Sequence, residues 1–242
     1  MNDERLAVER DSFDGQASGP GERLVHLRDG RPVLLRHARE TDAHLMLQAL
    51  NEVAHEGRFL LRRAWDITPE LEQRWIRFAL GGVDFLVLAV LLENEQTRAE
   101  LEVAGSLSLV RGRPEFIRHT ADLSMWLRSA YREQGLGSAL AQYAMEWAEA
   151  QEDLEKITLS VRSSNRRALN LYSKFGFQEE GRRHAYIKTE QGYEDEVLLS
   201  RFVRHPPGFE REHGNSGMYG YGTPGYQPID EGPLDDQEDA GE

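Results

Sequence analysis

The residues best suited to chemistry lie in one run, Leu123-Ser124-Met125-Trp126-Leu127-Arg128-Ser129-Ala130-Tyr131-Arg132-Glu133-Gln134-Gly135-Leu136-Gly137-Ser138. Its pattern is a strand that enters a glycine-containing turn, and the turn opens directly onto a helix. Such a connection points successive backbone N–H groups into one concavity at the positive end of the helix dipole. Gly135 and Gly137 carry no side chain to hold a phosphate away from those amides. The arrangement predicts an anion site from Arg132 to Ser138, with a diphosphate as its natural occupant. A tight strand-to-helix connection without a ligand also fits a Gly-x-Gly pair. Two familiar phosphate loops do not fit. The dinucleotide fingerprint needs glycine or alanine where Leu140 stands, and no Gly-Lys-Ser/Thr of a P-loop is present.

The elements that must position this loop follow from hydrophobic period and turn chemistry. Val33-Leu34-Leu35-Arg36 reads as a short first strand, and residues 41–56 as a helix with Thr41 or Asp42 as cap. A second helix begins with Thr68 as N-cap and Pro69 at its first position, and Gly81-Gly82 ends it. Strand-like runs follow at 84–92, 101–110 and 120–127, separated by a polar loop from Glu93 to Glu100 and by the turn Arg111-Gly112-Arg113-Pro114. Beyond the glycine loop come a helix from Leu136 to Ala150, a fifth strand at Ile157 to Val161, and a helix from Asn165 to Lys174 ended by Gly176. Two strands, 178–188 and 193–203, flank Glu190-Gln191-Gly192. The strand–helix–strand step across the loop makes the fourth and fifth strands a parallel, right-handed pair. The rest reads as antiparallel, so the expected fold is a single α/β domain with a mixed, mostly antiparallel sheet flanked by helices.

Arg132-x-x-Gly135-x-Gly137 resembles the R/Q-x-x-G-x-G/A signature of the GNAT superfamily of N-acetyltransferases, which binds the pyrophosphate of acetyl-CoA. Asn165-Arg166-Arg167-Ala168-Leu169-Asn170-Leu171-Tyr172-Ser173-Lys174-Phe175-Gly176-Phe177 is similar to the same family's N-x-x-A-x-x-L-Y-x-K-x-G-F segment. The resemblance spans roughly residues 33–204. Looser similarity at Arg118 to Leu123, at Phe177 to Arg182 and at Tyr193-Glu194-Asp195-Glu196 leans towards the bacterial small-molecule and amino-acid branch.

The resemblance implies transfer of an acetyl group from acetyl-CoA, as co-substrate, to a primary amine. The amine must lose a proton before it attacks, charge develops on the carbonyl oxygen, and a thiolate leaves. By position, the backbone N–H of Leu127 holds the acetyl carbonyl, and Tyr172 matches the tyrosine that protonates the departing sulfur. Cofactor contacts are expected at Leu127, Ser129, Arg132, Glu133, Gln134, Gly135, Leu136, Gly137, Ser138, Asn165 and Tyr172. Asn165 fits a helix cap as well as a contact to the cofactor arm, and Tyr172 also fits plain packing on the sheet. Asp122 is the expected general base, with Glu102 and His119 as other candidates; an ordered water chain would also serve. Glu115 and Arg118 read as rim residues, and Trp126, Trp147 and Phe175 as core. The acceptor is expected to be a small molecule such as an amino acid. The other readings are a protein N-terminus or lysine, or a silent acyl-CoA-binding module. Family members are often homodimers.

Composition narrows the remaining classes. The chain carries a formal charge of −13 over 242 residues, yet positions 23–205 hold 26 Lys+Arg against 27 Asp+Glu. The acidity belongs to the ends, which leaves no electrostatic footprint for nucleic acid or an anionic membrane. Residues 1–22 read as a disordered leader. Residues 206–242, with Pro206-Pro207-Gly208, spaced Tyr219, Tyr221 and Tyr226, and Asp235-Asp236-Gln237-Glu238-Asp239, read as a disordered acidic tail around an N-acetyltransferase domain at 23–205. There are no cysteines, and eight scattered histidines lack metal-ligand spacing, so no metal is expected. The longest apolar run, Phe85 to Leu92, is too short for a membrane span, and a cytoplasmic location is the expectation.

Overall fold

All eight positions of the strand Phe85–Leu92 are buried, and their alternation sets the layers of the molecule. Phe85, Val87, Ala89 and Leu91 face one apolar cluster, while Leu86, Leu88 and Val90 face another. A strand apolar on both faces belongs in the interior of a sheet with helices on each side. The computed structural model describes residues 21–57, 68–79 and 84–205. Within them the strands are β1 (Arg23–His26), β2 (Pro32–His37), β3 (Phe85–Leu92), β4 (Glu100–Arg111), β5 (Thr120–Leu127), β6 (Lys156–Arg162), β7 (Gln178–Thr189) and β8 (Gly192–Phe202). They form one sheet in the order β1-β2-β3-β4-β5-β6-β8-β7. Only β5 and β6 pair in parallel; every other neighbouring pair is antiparallel.

The helices are α1 (Ala43–His55), α2 (Pro69–Ala79), α3 (Leu136–Ala150) and α4 (Arg166–Lys174). α1 and α2 cover β3 and the start of β4 through Met46, Ala49, Ile76 and Val103. α3 packs on the opposite face through Leu136, Leu140, Tyr143, Ala144 and Trp147, joined by Tyr172 of α4. The indole of Trp147 stacks on Phe85 with ring centroids 4.8 Å apart. Leu107, Leu109, Leu123, Leu159, Val161, Val197 and Leu199 all belong to this second cluster. Their neighbours along β4, β5, β6 and β8 therefore face the α1/α2 side.

The expected mixed sheet is present, with one strand more than the sequence pattern indicated. β1 precedes Val33 and pairs with β2 from Arg23 to His26. Its four residues alternate between half-buried and exposed, too short and too weakly patterned to stand out. The parallel pair expected as fourth and fifth strands is consequently β5 and β6. Gly21 is already part of the body, since its carbonyl accepts a 3.0 Å hydrogen bond from the Tyr143 hydroxyl. The expected leader up to residue 20, the Gly81-Gly82 stop and the tail from Pro206 lie outside the described residues.

Thr68 caps α2 as its sequence suggests, accepting from Leu71 N at 3.3 Å. Asp42 occupies the N-cap position of α1 but makes no side-chain cap bond. Its carboxylate goes instead to Arg36, by two bonds of 2.7 and 2.9 Å, and to the Arg39 amide at 2.6 Å. Arg36 is only 2% exposed and also grips Glu100 at 2.8 and 2.6 Å. One buried guanidinium thus ties β2, the entry to α1 and the start of β4 together.

Candidate active site

β5 and β6 pair only at Thr120, Ala121 and Asp122, opposite Lys156, Ile157 and Thr158. Beyond that point both strands continue, to Leu127 and Arg162, without pairing to one another. A V-shaped opening results. On its other side β5 stays in register with β4 up to Gly105 opposite Leu127, and the Arg128 N–H donates to the Ala104 carbonyl at 3.0 Å. Bonded positions alternate in an antiparallel ladder, so Leu127 and Met125 turn their N–H groups away from β4 and into the opening. Gly105 permits this close approach, because a Cβ there would fall 2.3 Å from Leu127 Cδ2 and 2.7 Å from the Trp126 carbonyl oxygen.

The strand then runs through a short 3-10 turn, Ser129–Tyr131, into the loop that starts α3. Glu133 (φ 63°) and Gly135 (φ 91°) are both left-handed, an alternation that curls the backbone into a nest. Ser138 N and Ala139 N close back on the Gly135 carbonyl at 3.1 Å. Among the described residues no protein acceptor is found for the amides of Gln134, Gly135, Leu136 and Gly137. Nothing lies within 4 Å of the missing Cβ of Gly135. Free amides, open space and the positive end of a 15-residue helix together suit a pyrophosphate. The missing Cβ of Gly137 points elsewhere, into ordinary contact with Leu171 at 3.4 Å and Leu127 at 3.5 Å, so this glycine sets the packing of α3 against β5 and α4.

The remaining loop residues divide by what their side chains touch. Arg132 donates to the Leu127 carbonyl from Nε (2.9 Å) and Nη2 (2.7 Å), and holds both oxygens of Glu56, just past the end of α1, at 2.6 and 2.8 Å. Its side chain therefore braces the loop against the end of β5. Glu133 pairs with Arg167 on α4 at 2.5 Å. Gln134 has a buried Oε1 without a partner among the described residues, and its carbonyl accepts from Arg28 N at 3.1 Å. Leu136 is core, Ser129 is exposed on the 3-10 turn, and Ser138 lines the cleft.

Sequence reasoning passed over the matching acids. Glu52 in the last turn of α1 and Glu56 just past its end grip Arg128 and Arg132, four residues apart after β5. Arg162 reaches the Gly57 carbonyl at 3.3 Å from the end of β6. The last turn of α1 is thereby fastened across the mouth of the V.

The opening continues into a cleft of about 1370 Å³ bounded by α1, β4, β5, β6, β8, the loop and α4. Tyr172 is the one buried residue of α4, edge-on to Phe177 with centroids 5.5 Å apart, and it lines this cleft. No hydrogen-bond partner for its hydroxyl is found among the described residues. Burial raises the phenol well above its ordinary range, so it stays protonated. Asn165 caps α4, its Oδ1 accepting from Ala168 N at 3.2 Å, which leaves its amide nitrogen for the cleft.

The opposite wall is polar. Ser106, Ser108, Asp122, Ser124, Ser160 and Glu196 all line it. Asp122 is accessible from the cleft yet closely surrounded by protein; desolvation, and then the charge of Glu196, push its carboxyl up. It accepts from Thr158 Oγ1 at 3.2 Å, at the foot of the V where the strands are still joined. Glu102 is a different case: desolvation opposes its charge, but bonds from Tyr131 and Arg128 win and hold it anionic, away from the cleft. Desolvation and Glu102 push the Tyr131 phenol up to about 12. His119 precedes β5 at the end far from Leu127, with its carbonyl bonded to Glu155 and Lys156. Ser160 escaped the sequence reading, and Glu196 entered it only within the looser similarity at 193–196, although period two along 194–199 sets Glu194 and Glu196 opposite Val197 and Leu199.

An opened parallel pair above a helix start of this kind defines a site for an extended arm that ends in a pyrophosphate. The Acetyltransferase (GNAT) family profile matches residues 47–177, and the chain belongs to that family. It is an acetyl-CoA-dependent N-acetyltransferase. An N-alpha-acetyltransferase of Sulfurisphaera tokodaii is 26% identical over 171 residues, 70% of this chain and 95% of that protein. The Escherichia coli L-amino acid N-acetyltransferase AaaT is 30% identical over 101 residues, 41% of this chain and 62% of its own. A GNAT-family acetyltransferase structure from Streptococcus pneumoniae superposes with a TM-score of 0.63 at 26% identity, covering 70% of this chain and 98% of that one. Among the described residues, no group of three or more side chains is placed to hold a metal, and no helix is long and apolar enough to cross a membrane.

Proposed function

We propose that the acceptor is the primary amine of a small molecule such as an amino acid, entering along the polar wall between α1 and β8. The observation that carries this reading is the row of hydroxyls and carboxylates from Ser106 to Glu196 beside the open amides of Met125 and Leu127. The similarity to AaaT supports it. The Sulfurisphaera relative favours a second reading, in which the amine is the N-terminus of a polypeptide.

Acetyl-CoA, when bound, supplies a thioester carbonyl for the amine to attack and a thiolate to leave. The loop amides from Gln134 to Gly137 bind the pyrophosphate, and the Leu127 amide, with Met125 beside it, donates to the carbonyl oxygen as charge develops there. Asn165 contributes its free amide nitrogen to the carrier arm. Tyr172, kept neutral by burial, carries a proton to give to the sulfur as the carbon–sulfur bond breaks. Asp122 draws the acceptor's ammonium onto the wall. Three residues from Met125 along β5, or about 10 Å, it acts on the proton only through water. The catalytic body begins at residue 21, two residues before the sequence pattern placed it, and runs to 205, acting in the cytoplasm.

The reading is tested by following free CoA release over a panel of amino acids, simple amines and short peptides. Turnover of peptides alone would replace it with the second reading. Leucine at Gly135 forces a left-handed conformation costing about 1–2 kcal/mol on a side chain and fills the space before the amides. CoA affinity should fall by about tenfold or more, about 1.4 kcal/mol, read as a smaller CoA-dependent rise in Tm. Unchanged affinity would reject the loop as the phosphate site. Removing residues 206–242 should leave acetylation of a small amine near wild type, and a loss of activity would show that the tail belongs to the machinery.

A further inference from the structure

Counting along the strands shows which carboxylate lies level with the open amides of β5. The β5–β6 register pairs Asp122 with Thr158, so Ser124 stands at the level of Ser160, and Trp126 at the level of Arg162. β6 and β8 remain paired throughout, with Arg162 opposite Glu196. The carboxylate at the height of the open Met125 and Leu127 amides is therefore Glu196, reached across the V, and not Asp122 at its foot. Glu196 is 4% exposed, and both of its oxygens are occupied. Ser160 Oγ donates to Oε1 at 2.7 Å, and Arg183 Nη1 donates to Oε2 at 2.8 Å. Ser160 itself is exposed to the cleft. With its proton committed to Glu196, its oxygen presents lone pairs outward to a donor in the cleft.

The geometry points to Ser160 as the catalytic hydroxyl that takes the acceptor's proton, with Glu196 positioning it and receiving its proton in turn. This rests on the acetyl-transfer reading above. One N–H bond of the bound ammonium breaks as an O–H bond forms at Ser160 Oγ; the Ser160 O–H breaks as its proton moves to Glu196 Oε1. The nitrogen keeps the electron pair with which it attacks the thioester carbon. Arg183 holds Oε2, which leaves Oε1 as the basic oxygen. The proton then returns through Ser160 to cleft water. The charged groups facing Glu196 are Arg183 from β7, Asp122 from β5, and the Arg162–Glu194 pair along the same wall. Both hydroxyl and carboxylate are needed, which separates this arrangement from a lone base.

The test compares Glu196→Gln, Ser160→Ala, Ser160→Thr and Asp122→Asn with wild type, on an amine that wild type turns over, from pH 6 to 10. Glu196→Gln and Ser160→Ala are each expected to lower kcat about 100-fold near pH 7, the usual loss for a general base, with KM for acetyl-CoA unchanged. The deficit should shrink as pH rises past the amine's own pKa, because the nucleophile is then already neutral. Ser160→Thr should restore most of the rate. Asp122→Asn should raise KM for the amine without reproducing the kcat loss. Overturning results are a Glu196→Gln kcat within about twofold of wild type, a deficit equal at every pH, or an Asp122→Asn profile that matches the expected Glu196→Gln one. A failure of the cleft assignment shows separately, as wild-type protein without CoA-dependent thermal stabilisation, and would remove the relay with it.

Discussion

Phenylalanine in place of Tyr172 is expected to lower kcat by about 100-fold or more while KM for acetyl-CoA changes little. The ring still packs on Phe177, so the cleft keeps its shape, and only the hydroxyl is lost. That hydroxyl lines the cleft opposite the polar wall, buried and without a hydrogen-bond partner among the described residues, and it is the proton donor of the proposed reaction. A kcat within twofold of wild type would leave Tyr172 as a packing residue. The raised phenol also fixes a dependence on pH. Below pH 10 the folded and unfolded chains both keep the proton, and the group contributes nothing to any change with pH. Above it the unfolded chain ionises first, so stability falls with rising pH. Urea unfolding between pH 9 and 11 should show a shallower decline in the phenylalanine variant, with Tyr131 and Tyr143, both raised by burial, accounting for what is left.

The second large effect concerns stability. Alanine at Asp42 strips two of the bonds from Arg36 and leaves a guanidinium that is 2% exposed short of a counter-charge. Breaking one side of a buried ion pair costs about 3–5 kcal/mol. In a domain of this size that corresponds to a drop in Tm of about 6–20 °C. Glu100, at 26% side-chain exposure, retains its own bonds to Arg36 and limits the loss to the lower part of that range. A change below 1 kcal/mol in chemical denaturation would show that Arg36 finds water or Glu100 as a full substitute. Because Asp42 and Glu56 flank α1 at its two ends, the variant should also loosen the brace on Arg132, visible as a weaker CoA-induced rise in Tm.

How much of this was legible beforehand depended on whether a residue acts locally. The loop from Arg132 to Ser138 and the α3 that follows are specified by neighbours in the chain: a strand, a left-handed glycine and a helix start. The same holds for Thr68, whose capping bond spans three residues. Asp42 looked like a cap on equally local grounds, but a buried arginine from β2 outcompetes the helix for its carboxylate. The Arg132 side chain was read with the phosphate loop; its partners are Leu127 and a glutamate 76 positions earlier. Glu196 and Ser160 are 36 residues apart and meet only because β8 inserts between β6 and β7. Periodicity shows which face such residues take, and strand order decides whom they meet. Nothing in the composition of β5 or β6 says where their pairing stops, so the opening between them shows only in the folded sheet.

The early end of that pairing bears on how the enzyme behaves when empty. Backbone donors at Met125 and Leu127 have lost the neighbour that a full-length sheet would provide, and the protein supplies no replacement among the described residues. An incoming amide-bearing chain that lies in the wedge acts as a surrogate strand, finishing a ladder the polypeptide leaves incomplete. Its binding energy then counts directly towards folding stability. CoA and acetyl-CoA, which carry the same arm, are both expected to raise Tm, and the empty protein is the form that unfolds more readily.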